Sequence, residues 1–190
     1  IIIHASTQKG RHGMRFHITE SLDEYLKTLS DIIEAVNKLE NVYFILRPHP
    51  VCNLTKEGFN LLLPPCPKMR IITKGGFSRL LSAADILISY SSTCIEEAIQ
   101  NGIPVILYDQ WNRYNHFGSS NVKNLEIHLK NPAYYITQPE QLKDTMERVL
   151  KAFSMKTQHR HDWKEYVYPK DFKNNFYHNI IEHMAELNEF

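Results

Sequence analysis

From Ile86 to Tyr108 the chain reads ILISYSSTCIEEAIQNGIPVILY. Ile86 to Ser89, three apolar residues and a serine, form a run short enough for a strand buried on both faces. A hydroxyl-rich turn comes next, Tyr90-Ser91-Ser92-Thr93, and then a helical segment, Thr93 to Asn101, with acidic Glu96 and Glu97 in its first turn. Gly102 stands where a left-handed C-terminal cap belongs. Pro104 to Tyr108 is the next apolar run. Strand, helix and strand within so few residues predict a parallel crossover unit, right-handed as such units are.

The same alternation extends both ways. Upstream, Ile1 to Ala5 reads as a buried strand, and Leu22, Tyr25, Leu26, Leu29, Ile32, Ile33 and Val36 recur at helical spacing behind a cap at Thr19 or Ser21. Val42 to Leu46 is a strand that stops at Pro48. The stretch through Pro64, Pro65 and Pro67 reads as irregular, followed by a strand at Met69 to Ile72 and a short helix at Phe77 to Ala84. Downstream come a strand at Ala133 to Ile136, a helix at Gln138 to Phe153, and an amphipathic tail in which Phe176, Ile180, Ile181, Met184 and Leu187 share one face. The expected fold is a doubly wound, Rossmann-like α/β domain over residues 1–170, with a helix over 171–190 that covers it or crosses to a further domain.

Composition narrows the function classes. With 190 residues, 43% hydrophobic, and a formal net charge of +1, the chain has enough apolar material for one core and no broad footprint for nucleic acid. Cys52, Cys66 and Cys94 are odd in number and lack metal-ligand spacing, so neither a disulfide framework nor a zinc site is expected, and a reducing compartment fits. No apolar run is long enough to span a bilayer. His159 and His161 beside Asp162 read as a solvated loop rather than a metal site. No Gly-x-Ser-x-Gly elbow surrounds Ser91 or Ser92, which leaves a serine hydrolase without support.

Ligands of open α/β sheets bind beyond the carboxyl ends of the strands, so the residues just after each strand are informative. Here the strands lead into Ser6-Thr7-Gln8-Lys9-Gly10-Arg11, Arg47-Pro48-His49-Pro50, Thr73-Lys74-Gly75-Gly76, Ser89-Tyr90-Ser91-Ser92-Thr93 and Asp109-Gln110-Trp111-Asn112-Arg113. Hydroxyls, glycines and cations on one rim are the chemistry of a bound phosphate. Ser91, Ser92 and Thr93 are the main candidates, and a simple helix cap at Ser92 or Thr93 is the equal alternative. Arg47 and His49, the latter with a proline on each side, are the second candidate pair, with Lys9, Lys74 and Gly75 as further phosphate contacts. Trp111, Tyr114 and His116 line a sugar or acceptor pocket or pack their loop.

Over roughly residues 42–108 these motifs resemble the C-terminal domain of GT-B glycosyltransferases of bacterial surface polysaccharide synthesis. Arg47-Pro48-His49-Pro50 with Ser91-Ser92 is similar to the paired HP and SS motifs of sialyltransferases and capsule Kdo transferases, where histidine and serines hold the phosphate of a CMP-sugar. Leu87-Ile88-Ser89-Tyr90-Ser91-Ser92 is similar to a segment of CDP-glycerol glycerophosphotransferases, in which an acid falls where Glu96 stands. In non-hydrolysing UDP-N-acetylglucosamine 2-epimerases a Ser-Gly-Gly loop leads into Glu-Glu-Ala, and Glu97 matches the ribose-binding glutamate. Ser92 and Thr93 replace both glycines of that loop, a departure from the epimerase pattern.

The resemblance implies the donor-binding half of a transferase in which His49 and Arg47 are catalytic and Ser91, Ser92, Thr93, Glu96, Glu97, Lys9, Lys74 and Gly75 bind nucleotide and phosphate. The donor would be CMP-, CDP- or UDP-linked, the acceptor a glycan or lipid-linked glycan, and no metal or separate cofactor is implied. A facing N-terminal domain would complete the enzyme, leaving the isolated domain nearly inactive. It implies a cytoplasmic location, peripheral at the inner face of the membrane as an alternative. An epimerase-like enzyme and a non-catalytic scaffold are the competing readings.

Overall fold

The computed structural model describes residues 1–6, 19–114, 116, 127, 129, 131–153 and 163. Along the chain run β1 (Ile2–Ser6), α1 (Leu22–Asn37), β2 (Phe44–Pro48), α2 (Lys56–Leu62), β3 (Met69–Ile71), α3 (Phe77–Leu81), β4 (Ile86–Ser89), α4 (Cys94–Gln100), β5 (Val105–Tyr108), β6 (Ala133–Ile136) and α5 (Glu140–Phe153). The strands form one six-stranded sheet in the order β3-β2-β1-β4-β5-β6. Every pairing is parallel. This is the doubly wound order, in which the winding reverses between β1 and β4.

Alternation of side chains along each strand divides the core into two layers. Ile2, Phe44, Leu46, Ile86, Ile88, Ile106 and Tyr108 point to the layer shared with α1, α2 and α5. Ile3, Ala5, Ile45, Leu87, Val105 and Leu107 point to the opposite layer, with Leu81 of α3 and Ile95, Ala98 and Ile99 of α4. Both faces are therefore covered, which explains why the strands are continuously apolar rather than alternating. Each fully buried Ile or Leu contributes about 1.5–3 kcal/mol relative to leaving it in water.

Helix α1 starts at a capping box: Ser21 Oγ accepts from the Glu24 amide at 3.2 Å and the Glu24 carboxylate accepts from the Ser21 amide at 2.7 Å. Ser21, not Thr19, is thus the cap. Its inner face holds one buried acid, Asp31, which pairs with Lys27 one turn back and accepts from the Tyr108 hydroxyl of β5 at 2.9 Å. That polar link joins α1 to the sheet inside a mostly apolar layer.

One element departs from the sequence reading. The segment before Pro64 is not irregular throughout but contains α2, capped by the Thr55 hydroxyl on the Gly58 amide at 3.1 Å. It forms because Phe59 and Leu63, one turn apart, both reach the core, and it ends where Pro64 removes the next amide. Gly102 has φ +68° and closes α4 in the left-handed region, as expected. The expected helix over 171–190, the His159–His161 segment and Lys9 lie outside the described residues.

Candidate functional site

Because β1, β2, β4 and β5 are neighbours, their carboxyl-end loops form one rim. β1 and β2 finish level, with Ser6 opposite Pro48, and His4 of β1 lies opposite Ile88 of β4. α1 leaves β1 toward one face and α4 leaves β4 toward the other. The loop beginning at Tyr90 therefore stands at the crevice where the winding reverses.

Within that loop Ser91 is buried, Ser92 half-buried and Thr93 exposed. Ser92 Oγ accepts from the Cys94 amide at 3.3 Å and its carbonyl accepts from the Ile95 amide at 3.1 Å. Thr93 already has helical dihedrals, φ −63° and ψ −15°, and its hydroxyl makes no capping bond. Ser92 thus caps α4, leaving the Thr93 side chain at the helix mouth. The Cys94 thiol is held above its ordinary pKa chiefly by burial.

At the end of β2, Pro50 sits in a turn closed by the Cys52 amide on the His49 carbonyl at 2.8 Å. His49 is exposed, and its Nδ1 accepts from the Val51 amide at 3.2 Å. In the neutral ring this puts the proton on Nε2, which makes the outer nitrogen a donor. Arg47 is otherwise engaged. Its guanidinium donates to the Ile72 carbonyl at 3.0 Å and to the Gly75 carbonyl at 2.8 Å, clamping the loop between β3 and α3. Gly75 there has φ +94°, a conformation that favours glycine. Lys74 is exposed and lines a groove of 750 Å³ along β3, on the outer side of the sheet.

The two glutamates of α4 go to different neighbours. Glu97 accepts from the Ser78 hydroxyl of α3 at 2.7 Å, in the crevice between α3 and α4. Glu96 meets Nε2 of His116 at 2.8 Å, beneath the loop after β5. That loop is organised by Asp109, whose carboxylate accepts from the amides of Trp111 at 3.2 Å, Arg113 at 2.6 Å and Tyr114 at 3.0 Å. The Arg113 guanidinium lies 4.6 Å from the centre of the Trp111 ring and pairs with Glu24 at the start of α1. Glu24 is accordingly more acidic than usual, first through the Ser21 amide and then through Arg113. The Tyr90 hydroxyl is pushed far up by burial and by the carboxylates of Glu20 and Asp109, so it remains protonated.

The structure thus brings Ser91, Ser92 and Thr93 to the switch crevice, turns Arg47 toward main chain, and separates Glu96 from Glu97. Sequence reasoning missed Ser78, and it missed the pairing of Glu24 with Arg113. An acid in the first turn of a helix is a general signal, but nothing local points it to a residue so far along the chain.

No protein-family model and no curated protein matches the chain. Solved structures do. A spinosyn rhamnosyltransferase, SpnG, complexed with spinosyn aglycone superposes with TM-score 0.51 at 15% identity, over 79% of this chain and 36% of its own. CalG4, the calicheamicin glycosyltransferase, gives 0.53 at 12% identity, over 87% and 36%. VinC, a glycosyltransferase in complex with dTDP, gives 0.50 at 15%, over 87% and 37%. The chain spans little more than a third of the length of these proteins. Its fold is that of one half of a GT-B glycosyltransferase. Among the described residues no helix is long and apolar enough to cross a membrane.

Proposed function

We propose that this chain is the donor-binding half of a glycosyltransferase acting on a cytidine- or uridine-linked sugar, with a surface polysaccharide as acceptor. The observation that carries the reading is the hydroxyl-rich loop Tyr90 to Thr93 standing at the winding reversal of a GT-B-like half, where open α/β sheets bind nucleotides. In this reading Ser91 and the Thr93 hydroxyl contact the donor phosphate, Ser92 caps α4 beside it, and His49 donates from Nε2. Gly75 lends its loop to the nucleotide, and Arg47 is a positioning residue that holds that loop. Lys9 and Lys74 add positive charge to the rim.

Glu97 is the ribose contact. Its place between α3 and α4 supports this, as does the engagement of Glu96 by His116 on the other side. Catalysis then consists of stabilising charge on the departing phosphate by fixed donors, which costs little reorganisation at the moment of bond cleavage. The base that deprotonates the acceptor belongs to a facing half.

The test is calorimetric titration of variants with CMP, CDP, UMP and UDP. Glu97→Gln is expected to weaken every ribonucleotide about tenfold and Glu96→Gln much less, as removal of one charged hydrogen bond implies. Ser91→Ala with Ser92→Ala is expected to weaken nucleotides but not the free nucleosides. Equal losses for nucleoside and nucleotide in the serine variant contradict the phosphate assignment.

A further inference from the structure

Apart from Lys74 at its end, the groove beside β3 carries chemistry that the nucleotide reading does not use. Residues 69–74 line it without a gap, facing Lys56 and Asn60 of α2. Among the described residues, β3 is the last strand on that side of the sheet. It bonds β2 through the Lys68 carbonyl, which accepts from the Phe44 amide at 2.9 Å, and the Ile72 amide, which donates to the Leu46 carbonyl at 3.0 Å. Main-chain groups alternate direction along a strand, so those of Met69 and Ile71 face away from β2. The Met69 amide turns back onto the Cys66 carbonyl at 3.0 Å; the Ile71 amide and the carbonyls of both residues face the groove side.

The charged residues lining the groove are Lys56, Arg70 and Lys74, all exposed and all cationic. Its floor is apolar, with Leu63 and Ile71 buried. Among the described residues the strand edge is open and supplies direction, an apolar floor supplies burial for alternate side chains, and a cationic border selects for acid. We propose that the outer edge of β3 binds an extended acidic segment of a partner protein, added to the sheet as a further strand.

A second copy of this chain is a poor occupant, because pairing β3 with itself brings like charges together, and a short cationic edge is a common guard against self-pairing. A bilayer is also a poor occupant. The most exposed leucine of α2, Leu61 at 86%, is not among the groove's lining residues, and a recessed floor with open main chain suits an extended chain better than a plane.

The experiment is fluorescence anisotropy of the 190-residue chain with a dye-labelled heptapeptide alternating valine and glutamate. Controls are the same peptide with lysine for glutamate and a version N-methylated at alternate amides. The acidic peptide is expected to bind, the lysine peptide not to bind, and N-methylation to abolish binding. Arg70→Glu and Lys56→Glu are each expected to weaken it about fivefold or more, with Arg70→Gln intermediate, as reversal of a charge beside the acidic peptide implies. Both positions are exposed, and circular dichroism checks that the variants are folded. Equal binding of the N-methylated peptide overturns strand addition in favour of a plain anion site. Failure of the peptide alongside Arg70-dependent binding to phosphatidylserine vesicles overturns the choice of partner, and concentration-dependent dimerisation lost in Arg70→Glu overturns it in favour of a second copy.

Discussion

Arg47→Ala separates two roles that a cation beside a phosphate loop could have. The side chain donates to the carbonyls of Ile72 and Gly75 at 3.0 and 2.8 Å, so it ties the end of β2 to the loop before α3. A hydrogen bond from a charged donor contributes about 1.5–3 kcal/mol when buried and much less at the surface. The bond to Ile72 is part-buried and the bond to Gly75 exposed, which leads to a loss of about 2 kcal/mol in Arg47→Ala. With a urea slope of about 2 kcal/mol/M, the unfolding midpoint moves by about 1 M. The assay is urea unfolding followed by circular dichroism without nucleotide, together with calorimetry of nucleoside and nucleotide. A clamp lowers stability and weakens both ligands alike, since the loose loop is common to them. Unchanged stability with a loss confined to the phosphorylated ligand refutes the clamp and returns Arg47 to the phosphate.

Two further predictions concern the contacts that hold the rim. Tyr108→Phe removes the buried hydroxyl bonded to Asp31 and is expected to cost about 2 kcal/mol, read from the same urea midpoints; a neutral effect contradicts the link between α1 and β5. Glu24 has a folded pKa below its unfolded one, so its contribution is complete above the ordinary carboxylate range and is lost as pH falls through the lowered value. Glu24→Gln should therefore be less stable than the parent at neutral pH and converge with it in acid, and a gap that persists unchanged in acid counts against the pairing with Ser21 and Arg113.

Much of the fold was legible because it is written in local periodicity. The runs at Ile86 to Ser89 and Pro104 to Tyr108, with Gly102 between them, determine a crossover unit from a few residues. α2 was not legible, since three nearby prolines outweighed the weaker pattern of Thr55 as a cap with Phe59 and Leu63 one turn apart. The strand order was not legible either, because pairing is decided by which apolar faces fit together across the chain. At the site, the gathering of hydroxyls after β4 could be read directly. The engagement of Arg47 could not, because its partners are carbonyls of Ile72 and Gly75, and main chain has no signature in the sequence. Which glutamate faces which neighbour depends on the rotation of α4, set by the burial of Ile95, Ala98 and Ile99 beneath it.

The central claim is that the crevice between β1 and β4 holds a nucleotide. It is tested most directly by backbone amide NMR of the isotopically labelled chain during titration with CMP, CDP, UMP and UDP. The account predicts saturable shifts in the amides of residues 91–97 and 73–76 and of the turn at His49, with the open edge of β3 at Ile71 unchanged. Shifts confined to residues 69–72 of the β3 groove, or none from a folded chain, would contradict it.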